Sequence, residues 1–488
     1  MIPTDKDLIL RKKVKLYNNL AKINDCQGRL LAELEIYPTP RLTWEFETLG
    51  EIQGNFPHGA SWKPDSLTSL VGYSFLMENT VCTEERSRNI GPSEALRGEA
   101  KQAVYGEVND LANSFIFYLP NTQFQSKRAC QNLIVRNLKD LSNNKEIGSS
   151  EEGRYGVASI DEDWEIRLDI RKASLEWLNP RDRNMGTFIT TIGQLRQTKF
   201  DVSDPKTFSS LNKVTLYNAL ERIKSLCWLL SYVNGGYIGP LYIEGYKAPQ
   251  DESNVPQFSC AAALSFKTTP LEKIGQSWLT ESSDLNALLS CFSAFEKMMR
   301  DPLWRETFDF TLIQYFQAIQ PDQVGWPVRA SAVGAALERL SHMLLIDEET
   351  NQQKKSSYEL LFNIKKDREE NKQYAQCWKC LKYKKGNGEY LSQTGIRLSC
   401  LLERVGLTQD QDADAIQSFL DVRNDSVHPR VSSMTIDQRS QLIGKAIQWV
   451  DEILLWRIGY NGQYLDRSQS WIKSISPRYD LKLRDSGW

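Results

Sequence analysis

The sequence predicts an α+β protein in which a β-rich N-terminal domain precedes an all-α helical bundle. Up to about residue 205, apolar and polar residues tend to alternate, which is typical of strands. From about residue 207, apolar residues recur every three or four positions, which is typical of amphipathic helices. With 41% hydrophobic and 25% charged residues among 488, the composition is that of a globular protein. A chain of this length predicts about three domains, or two large ones.

Two strands are predicted near the N-terminus. The segments LLAELEIYP (30–38) and LTWEFETLG (42–50) are rich in residues that favour strands. Between them lies the sequence Pro38-Thr39-Pro40, which favours a turn. We therefore expect these segments to be neighbouring strands.

A further strand is predicted at DWEIRLDIRK (163–172), where apolar and charged residues alternate strictly. This pattern predicts a half-buried antiparallel strand with one face toward water, its apolar face carrying Trp164, Ile166, Leu168 and Ile170. The segment NNKEIGSSEEGRYG (143–156) is polar, acidic and rich in Gly and Ser, so it predicts a mobile loop.

The helical pattern begins at residues 207–236, where the last two residues, Gly235 and Gly236, predict the end of the first helix. The runs YIGPLYIEGY (237–246) and FSCAAALSF (258–266) then predict a β-hairpin. Further helices are predicted at 284–300, 304–319, 328–346, about 356–383, 391–405, 411–423 and 434–458.

The last predicted helix has the clearest pattern. Thr435 and Gln438 have the spacing of a capping box at its start. An apolar stripe runs along it, formed by Ile443, Ala446, Ile447, Val450 and Leu454. We therefore expect this helix to bury one face in the core of the bundle.

These patterns divide the chain into four segments. Residues 1–205 form the β-rich domain, and residues 206–300 form a connecting helix, a β-hairpin and a helix. Residues 301–460 form the helical domain, and residues 461–488 form a C-terminal tail. The sequence contains neither GxxxxGK[ST] nor GxGxxG between a strand and a helix, so it offers no support for a nucleotide-binding loop.

The charge balance and the cysteines narrow the class of protein. The net charge is −2, from 60 basic and 62 acidic residues, which argues against coating nucleic acid through bulk charge but permits a local basic site. Nine scattered cysteines predict reduced thiols in a cytoplasm rather than a disulfide framework. The charged N-terminus argues against secretion, and no apolar run approaches the ~18 residues of a spanning helix.

The segment DVRNDSVHPR (421–430) contains His428, one of three histidines in the chain. We expect the preceding helix to break at Ser426 and Val427, because Pro429 disfavours the helical conformation before it. Arg423 and His428 would then flank a helix end. Arginine can hold a phosphate oxygen through two hydrogen bonds, and histidine can transfer a proton near neutral pH.

The spacing alone also permits a simpler interpretation, in which a surface arginine and histidine close a helix. Asn424 and Asp425 would then serve as cap and turn residues.

The run Arg423-Asn424-Asp425-Ser426-Val427-His428 resembles the R-N-x-x-x-H signature of the HEPN superfamily, and it lies ahead of a long final helix, as it does in that family. More widely, CWLLSYVNGGYIGPLYIEGY (227–246), the helices around Trp278 and Trp304, and VRASAVGAALERLSHMLL (328–345) resemble the ApeA-like HEPN proteins of bacterial anti-phage defence. The resemblance covers about residues 210–460.

This resemblance implies a metal-independent endoribonuclease without a cofactor, in which a 2′-hydroxyl attacks the adjacent phosphate. Arg423 would hold the scissile phosphate, and His428 would move the proton. Asn424 would hold the local geometry or a phosphate oxygen. It also implies a homodimer, because HEPN sites usually combine two facing signatures. The protein would be an abortive-infection effector in a bacterial cytoplasm. Its N-terminal domain would sense a phage-derived trigger or restrain the nuclease.

A basic segment at residues 354–385 is interleaved with aromatic residues, a pattern that suits single-stranded RNA. The candidate RNA contacts there and after the signature are Lys379, Lys382, Lys384, Lys385 and Arg430. Interspersed acidic residues keep a second interpretation open, in which this segment is a solvated helix face.

The sequence CWKC raises the question of a zinc site formed by Cys377, Cys380 and Cys400. A structural zinc site normally has four ligands, and no second cysteine pair follows, so two cysteines sharing a helix face is the simpler interpretation. We expect His342 to be a core or boundary residue rather than a catalyst. His58 lies in a predicted loop without an identifiable partner.

Two other functions remain open at this point. The chain could be a non-catalytic HEPN interaction module in which the signature serves the dimer contact only. It could also be a metal-dependent nuclease, whose activity a chelator would abolish.

Overall fold

The computed structural model describes parts of both predicted domains. The residues described are 13–23, 26–36, 39–48, 67–69, 75–78, 81–87, 94–106, 109–122, 154–160, 163–170, 187, 189–197, 214–247, 257–270, 273–275, 277–279, 285–320, 324–363, 391–407, 413–428, 434–467 and 483–485. They form a β-rich part followed by a helical part, so the predicted α+β class is confirmed.

The chain divides into two compact units. The first unit comprises Met1–Lys273 and Asp284–Ser293, and the second comprises Ile274–Ser283 and Ala294–Trp488.

The first unit is built on one antiparallel sheet of 14 described strands. Their order across the sheet is β10-β11-β12-β9-β13-β14-β8-β5-β4-β1-β2-β3-β7-β6. The strands are β1 (Lys13–Ile23), β2 (Cys26–Glu35), β3 (Arg41–Thr48), β4 (Leu67–Ser69), β5 (Phe75–Glu78), β6 (Val81–Ser87), β7 (Glu94–Ala100), β8 (Gln102–Gly106), β9 (Ser114–Pro120), β10 (Arg154–Ser159), β11 (Trp164–Ile170), β12 (Ile189–Gln197), β13 (Tyr242–Lys247) and β14 (Gln257–Leu264).

The predicted strand pairs are confirmed. Strands β2 and β3 pair with each other across the Pro38-Thr39-Pro40 region, and β13 and β14 form the predicted hairpin. This hairpin pairs with β9 on one side and with β8 on the other. The segment that we described as a connection between domains therefore contributes two central strands to the sheet.

Strand β9 is buried along its whole length, because both of its faces are covered. Ile116 and Tyr118 lie in a core that also contains side chains from β1 to β3, such as Trp44. Phe115 and Phe117 alternate with them and therefore point to the opposite face. Burial on both faces explains why the sequence SFIFYLP is almost continuously apolar.

Strand β11 confirms the predicted alternation from Trp164 to Leu168, with Trp164, Ile166 and Leu168 buried. Residues 171–172 of the predicted strand lie outside the described residues. Its charged face is less open to water than predicted. The Glu165 side chain is only 14% exposed, because it accepts hydrogen bonds from Arg167 and Arg196 at 2.7 Å each.

The neighbouring strand β10 occupies residues 154–159, so the loop predicted at 143–156 is wrong at its last three residues. Pairing with β11 along all six positions holds this polar sequence in an extended conformation. The rest of that predicted loop lies outside the described residues.

The first helix, α1 (Leu216–Asn234), begins and ends with clear capping interactions. The Thr215 side chain accepts a hydrogen bond from the Asn218 N–H, and Gly235 closes the helix with a φ of 71°. A left-handed conformation of this kind favours glycine, so the predicted helix end is confirmed. Helix α2 (Leu285–Ser290) also belongs to this unit.

The second unit contains the remaining helices and a short two-stranded sheet. The helices are α3 (Phe292–Arg300), α4 (Pro302–Ala318), α5 (Trp326–His342), a π-helix (Met343–Asp347), α6 (Gln352–Asn363), α7 (Gln393–Arg404), α8 (Ala413–Val427) and α9 (Ile436–Arg457). The strands are β15 (Gln463–Leu465) and β16 (Leu483–Asp485). No described helix has the combination of length and apolar sequence needed to cross a membrane.

Helix α6 covers the start of the helix predicted at about 356–383. The rest of that predicted helix lies outside the described residues.

Helix α9 confirms the prediction made for residues 434–458. The Thr435 side chain accepts from the Gln438 N–H at 3.2 Å, and the Gln438 side chain accepts from the Thr435 N–H at 2.9 Å, which completes the capping box. The predicted stripe is buried throughout, from Ile443 to Leu454.

A buried polar network holds residues 463–467 against this unit, although we assigned them to a C-terminal tail. The Arg467 Nε atom donates to Asp451 at 2.5 Å, and its Nη2 donates to the Tyr315 hydroxyl at 2.7 Å. The Tyr315 hydroxyl donates to Asp451 at 2.6 Å. This network joins α4, α9 and the segment after β15, and burial raises the pKa of Tyr315.

Candidate functional site

The HEPN-like signature lies on the last turn of α8. This helix buries Ile416, Phe419, Leu420 and Val422, and the Phe419 ring meets the Trp449 ring of α9 edge to face at 6.1 Å. The buried face fixes the rotation of α8 about its axis. It therefore also fixes the directions in which the signature residues leave the helix.

Helix α8 continues to Val427, so the predicted break at Ser426 and Val427 is wrong. The His428 N–H still donates to the Asn424 carbonyl at 2.8 Å, in the helical pattern. A proline restricts only the residue immediately before it, which here is His428, so the preceding turn can remain helical. Asn424 and Asp425 are consequently helical residues rather than cap and turn residues.

Arg423 is held in place by its neighbours on α5. Its Nη2 donates to the Glu338 carboxylate at 2.9 Å, and its Nη1 lies 3.4 Å from the Asn424 Oδ1. A Cβ atom at Gly334 would lie 3.0 Å from the Arg423 Cγ, so the glycine makes room for the arginine stem. The Arg423 side chain is 30% exposed, so it is only partly covered by its neighbours.

Two hydroxyl groups connect α5 and α8 about one helical turn after Arg423. The Ser331 and Ser426 hydroxyl oxygens lie 2.7 Å apart, and the Ser426 hydroxyl also lies 2.6 Å from the Arg423 carbonyl, to which it can donate. Because Ser331 faces Ser426 while Gly334 faces Arg423, the two helices run antiparallel.

The last turn of α8 and the first turns of α5 and α9 therefore lie at one end of the bundle, which we call the signature end. At the signature end, Asn424 and His428 are exposed. Three apolar side chains are exposed there as well: Val328 at 51%, Val427 at 55% and Ile436 at 68%. The histidine thus lies on an open surface that combines polar and apolar groups.

A cavity lies beside Arg423, between α5, α7 and α8. Its polar lining consists of Glu338, Ser341, Thr394, Arg397 and Arg423. The guanidinium of Arg397 donates to the Leu361 carbonyl at 3.0 and 3.3 Å. Burial lowers the pKa of Arg397, and the nearby Glu338 carboxylate opposes that shift. The Glu338 carboxylate therefore lies near two arginines, Arg397 and Arg423.

The other candidate residues do not join this site in the described part of the chain. Lys379, Lys382, Lys384, Lys385, Arg430, Cys377 and Cys380 lie outside the described residues, as does His58. Cys400 is buried and forms no disulfide bond within the described part of the chain. Among described side chains, no group of three or more His, Cys, Asp or Glu residues could hold a metal ion. His342 ends α5 with its Nδ1 3.1 Å from Asp347, so it is a paired boundary residue, as predicted.

The sequence interpretation missed three residues that position Arg423, namely Ser331, Gly334 and Glu338. They recur at helical spacing within VRASAVGAALERL (328–340), where small residues interrupt an apolar face. Such an interruption is a signal for a close approach between two helices, although it does not say which helix approaches.

Comparisons with family models, with curated proteins and with solved structures find no match for this chain.

Proposed function

We propose that this protein is a metal-independent endoribonuclease of the HEPN type. In the proposed reaction, the 2′-hydroxyl oxygen attacks the adjacent phosphorus, and the bond from phosphorus to the 5′ oxygen breaks. The products are a 2′,3′-cyclic phosphate and a 5′-hydroxyl. One observation carries the proposal: a positioned Arg423 and an exposed His428 lie at the same end of one helix.

Arg423 suits the phosphate-binding role because its side chain is held by neighbouring residues and is still partly exposed. The contacts with Glu338 and the space beside Gly334 reduce the number of side-chain conformations that the arginine samples. A guanidinium that is already oriented loses less conformational entropy when it binds a phosphate.

His428 suits the proton-transfer role because it is exposed directly after the last helical turn. It can take the proton from the attacking 2′-hydroxyl or give one to the departing 5′ oxygen. Asn424 lies one turn before it, on the same side of the helix, where its amide can support the substrate or the histidine.

We propose that the active form is a homodimer in which two signature ends face each other. The exposed Val328, Val427 and Ile436 support this proposal, because apolar side chains grouped beside a functional residue are typical of an interaction surface. From the HEPN resemblance, we further propose a role as an abortive-infection effector in a bacterial cytoplasm. The first unit would then respond to a phage-derived trigger.

The test uses the purified full-length protein and total bacterial RNA. We expect the wild type to produce fragments with 5′-hydroxyl ends, which polynucleotide kinase labels directly, and we expect EDTA to leave this cleavage unchanged. His428→Ala should lower cleavage at least about 100-fold, given the usual contribution of general acid–base catalysis. His342→Ala is the matched control, because it removes a histidine that pairs with Asp347 away from the signature.

Cleavage that persists in His428→Ala would overturn the proposal, and cleavage abolished by EDTA would favour a metal-dependent nuclease. A second candidate function is a non-catalytic HEPN interaction module. The ion pair between Arg423 and Glu338 favours it, because it gives the arginine a structural role within its own chain. Wild-type protein that neither cleaves RNA nor is toxic under any trigger would support this alternative.

A further inference from the structure

A second cationic group lies at the signature end. The Arg439 guanidinium, on α9, stacks over the Trp326 ring, on α5, with its central carbon 4.3 Å from the ring centroid. Both residues are half-buried, so each keeps part of its surface in contact with solvent. Stacking of this kind fixes the plane of the guanidinium.

Arg439 differs from several other arginines described in the second unit. Arg397 donates to a carbonyl, Arg404 and Arg457 pair with carboxylates, and Arg467 lies in the buried network. For Arg439, by contrast, the described residues provide no carboxylate partner, and its Nε atom is buried without a hydrogen-bond partner.

The position of Arg439 relative to His428 follows from the antiparallel packing of α5 and α8. Ser331 faces Ser426. Trp326 precedes Ser331 on α5 and His428 follows Ser426 after α8, so both lie on the same side of this contact along the bundle axis. With a rise of about 1.5 Å per residue, the two lie about 5 Å apart along the bundle axis. This axial separation permits one RNA strand to contact His428 and the stacked pair together.

The charges around the stacked pair favour an anion. The first turn of α5 contains no acidic residue and has no side-chain cap. Asp437 lies in the first turn of α9, but it precedes Arg439 by two residues and therefore points to a different side of that helix.

We infer that Arg439, stacked on Trp326, is a second RNA-binding group, which holds a backbone phosphate next to the one that is cleaved. The inference rests on the proposed function in that RNA is the ligand of the signature end. The stack orients the guanidinium, and its N–H groups donate to the phosphate oxygens. The contact increases the affinity for RNA and fixes the position of the strand on the protein, while Arg423 and His428 act at the scissile phosphate.

The experiment measures binding of a fluorescent single-stranded RNA of mixed sequence by anisotropy at several salt concentrations. Full-length protein carrying His428→Ala is used throughout, so that the RNA stays intact. Adding Arg439→Gln should weaken binding about tenfold and reduce the slope of log affinity against log salt by about 0.7, the value for one phosphate contact on a single strand. Arg439→Lys should keep the slope but lose part of the affinity.

The matched control is Lys445→Gln. Lys445 also lies over an aromatic ring, that of Trp449 at 5.9 Å, and it is on the same helix. It is six residues further from the signature end, which is about 9 Å. We expect its removal to leave affinity and slope unchanged.

The inference is overturned if Arg439→Gln binds like its parent, if Lys445→Gln loses as much affinity, or if the parent does not bind RNA. Thermal unfolding of each variant shows whether folding is retained, and Arg439→Lys provides the test if Arg439→Gln unfolds. The proposed function is tested separately, by the cleavage assay that compares the wild type with His428→Ala. RNA binding that depends on Arg439 without any cleavage would support this inference and reject the nuclease.

Discussion

Glu338 gives Arg423 its orientation, and Gly334 gives it space. The ion pair is partly exposed, with the two side chains 30% and 44% accessible, so its contribution to stability is small, about 0–1 kcal/mol. Its significance is therefore geometric. It selects one conformation of a side chain that would otherwise sample many.

Gly334→Ala tests this geometric role. The new methyl group would lie 3.0 Å from the Arg423 Cγ and would displace the arginine stem by a few tenths of an ångström. Alanine favours a helix over glycine by about 1 kcal/mol, so the free energy of unfolding should change by no more than about that amount. Cleavage should fall about tenfold, because small displacements of a positioning group slow the reaction.

The control for this variant is Ala335→Gly at the neighbouring position of α5. It should lower the free energy of unfolding by about 1 kcal/mol and leave cleavage unchanged. Chemical denaturation and initial cleavage rates measure the two quantities. If Gly334→Ala cleaves RNA at the wild-type rate, the position of the Arg423 stem does not limit the reaction.

Among single residues, the sequence predicts Arg423, Asn424 and His428 as site residues but not the residues that contact them. The three lie within six positions of each other, so a local pattern brings them together. Glu338 is 85 residues from Arg423, and only the packing of α5 on α8 makes them neighbours. A single sequence does not specify which helices pack together.

Among the elements, α9 was predicted most closely because its signals are local. The capping box fixes its start, and the apolar stripe fixes its buried face. Helix α8 was predicted four residues too short, because the effect of Pro429 was extended beyond the residue that precedes it. The predicted helix 284–300 is divided into α2 and α3 at Cys291, a break that the apolar pattern did not indicate.

Thr435→Ala tests the start of α9. The substitution removes the acceptor for the Gln438 N–H and should lower the free energy of unfolding by about 1 kcal/mol. Urea denaturation measures the change. Thr435→Ser keeps the hydroxyl and should retain most of the stability, so an equal loss in both variants would contradict the capping role.

For the whole molecule, the order of β-rich and helical parts was predictable from the change in apolar periodicity, but the strand order was not. The hairpin of β13 and β14 pairs with strands more than 100 residues earlier, β9 and β8. Pairing over such distances depends on the complete sheet. The local sequence determines only that each segment is a strand.

Ile436→Asp tests the proposed homodimer. Ile436 is 68% exposed at the first position of α9, where an acidic residue suits the helix dipole, so folding should be retained. We expect the variant to sediment as a monomer at concentrations where the wild type is a dimer. Its rate of RNA cleavage should fall in proportion to the loss of dimer.

Leu303→Asp is the control for this experiment. Leu303 is 49% exposed in the first turn of α4. Because Arg329, near the start of α5, contacts the carbonyl of Ala318 at the end of α4, the start of α4 lies away from the signature end. A wild-type monomer under conditions of cleavage, or equal dissociation in both variants, would contradict a dimer formed through the signature end.

The position of His428 directly after the final turn of α8 has a further consequence. Terminal turns fray, so the order of this histidine depends on the free energy of local opening rather than on that of global unfolding. The Ser426 hydroxyl, which contacts Arg423 within α8 and Ser331 on α5, opposes this fraying. One serine therefore couples the ordering of the proposed proton-transfer group to the packing of two helices, and His428 can lose its order while the rest of the protein stays folded.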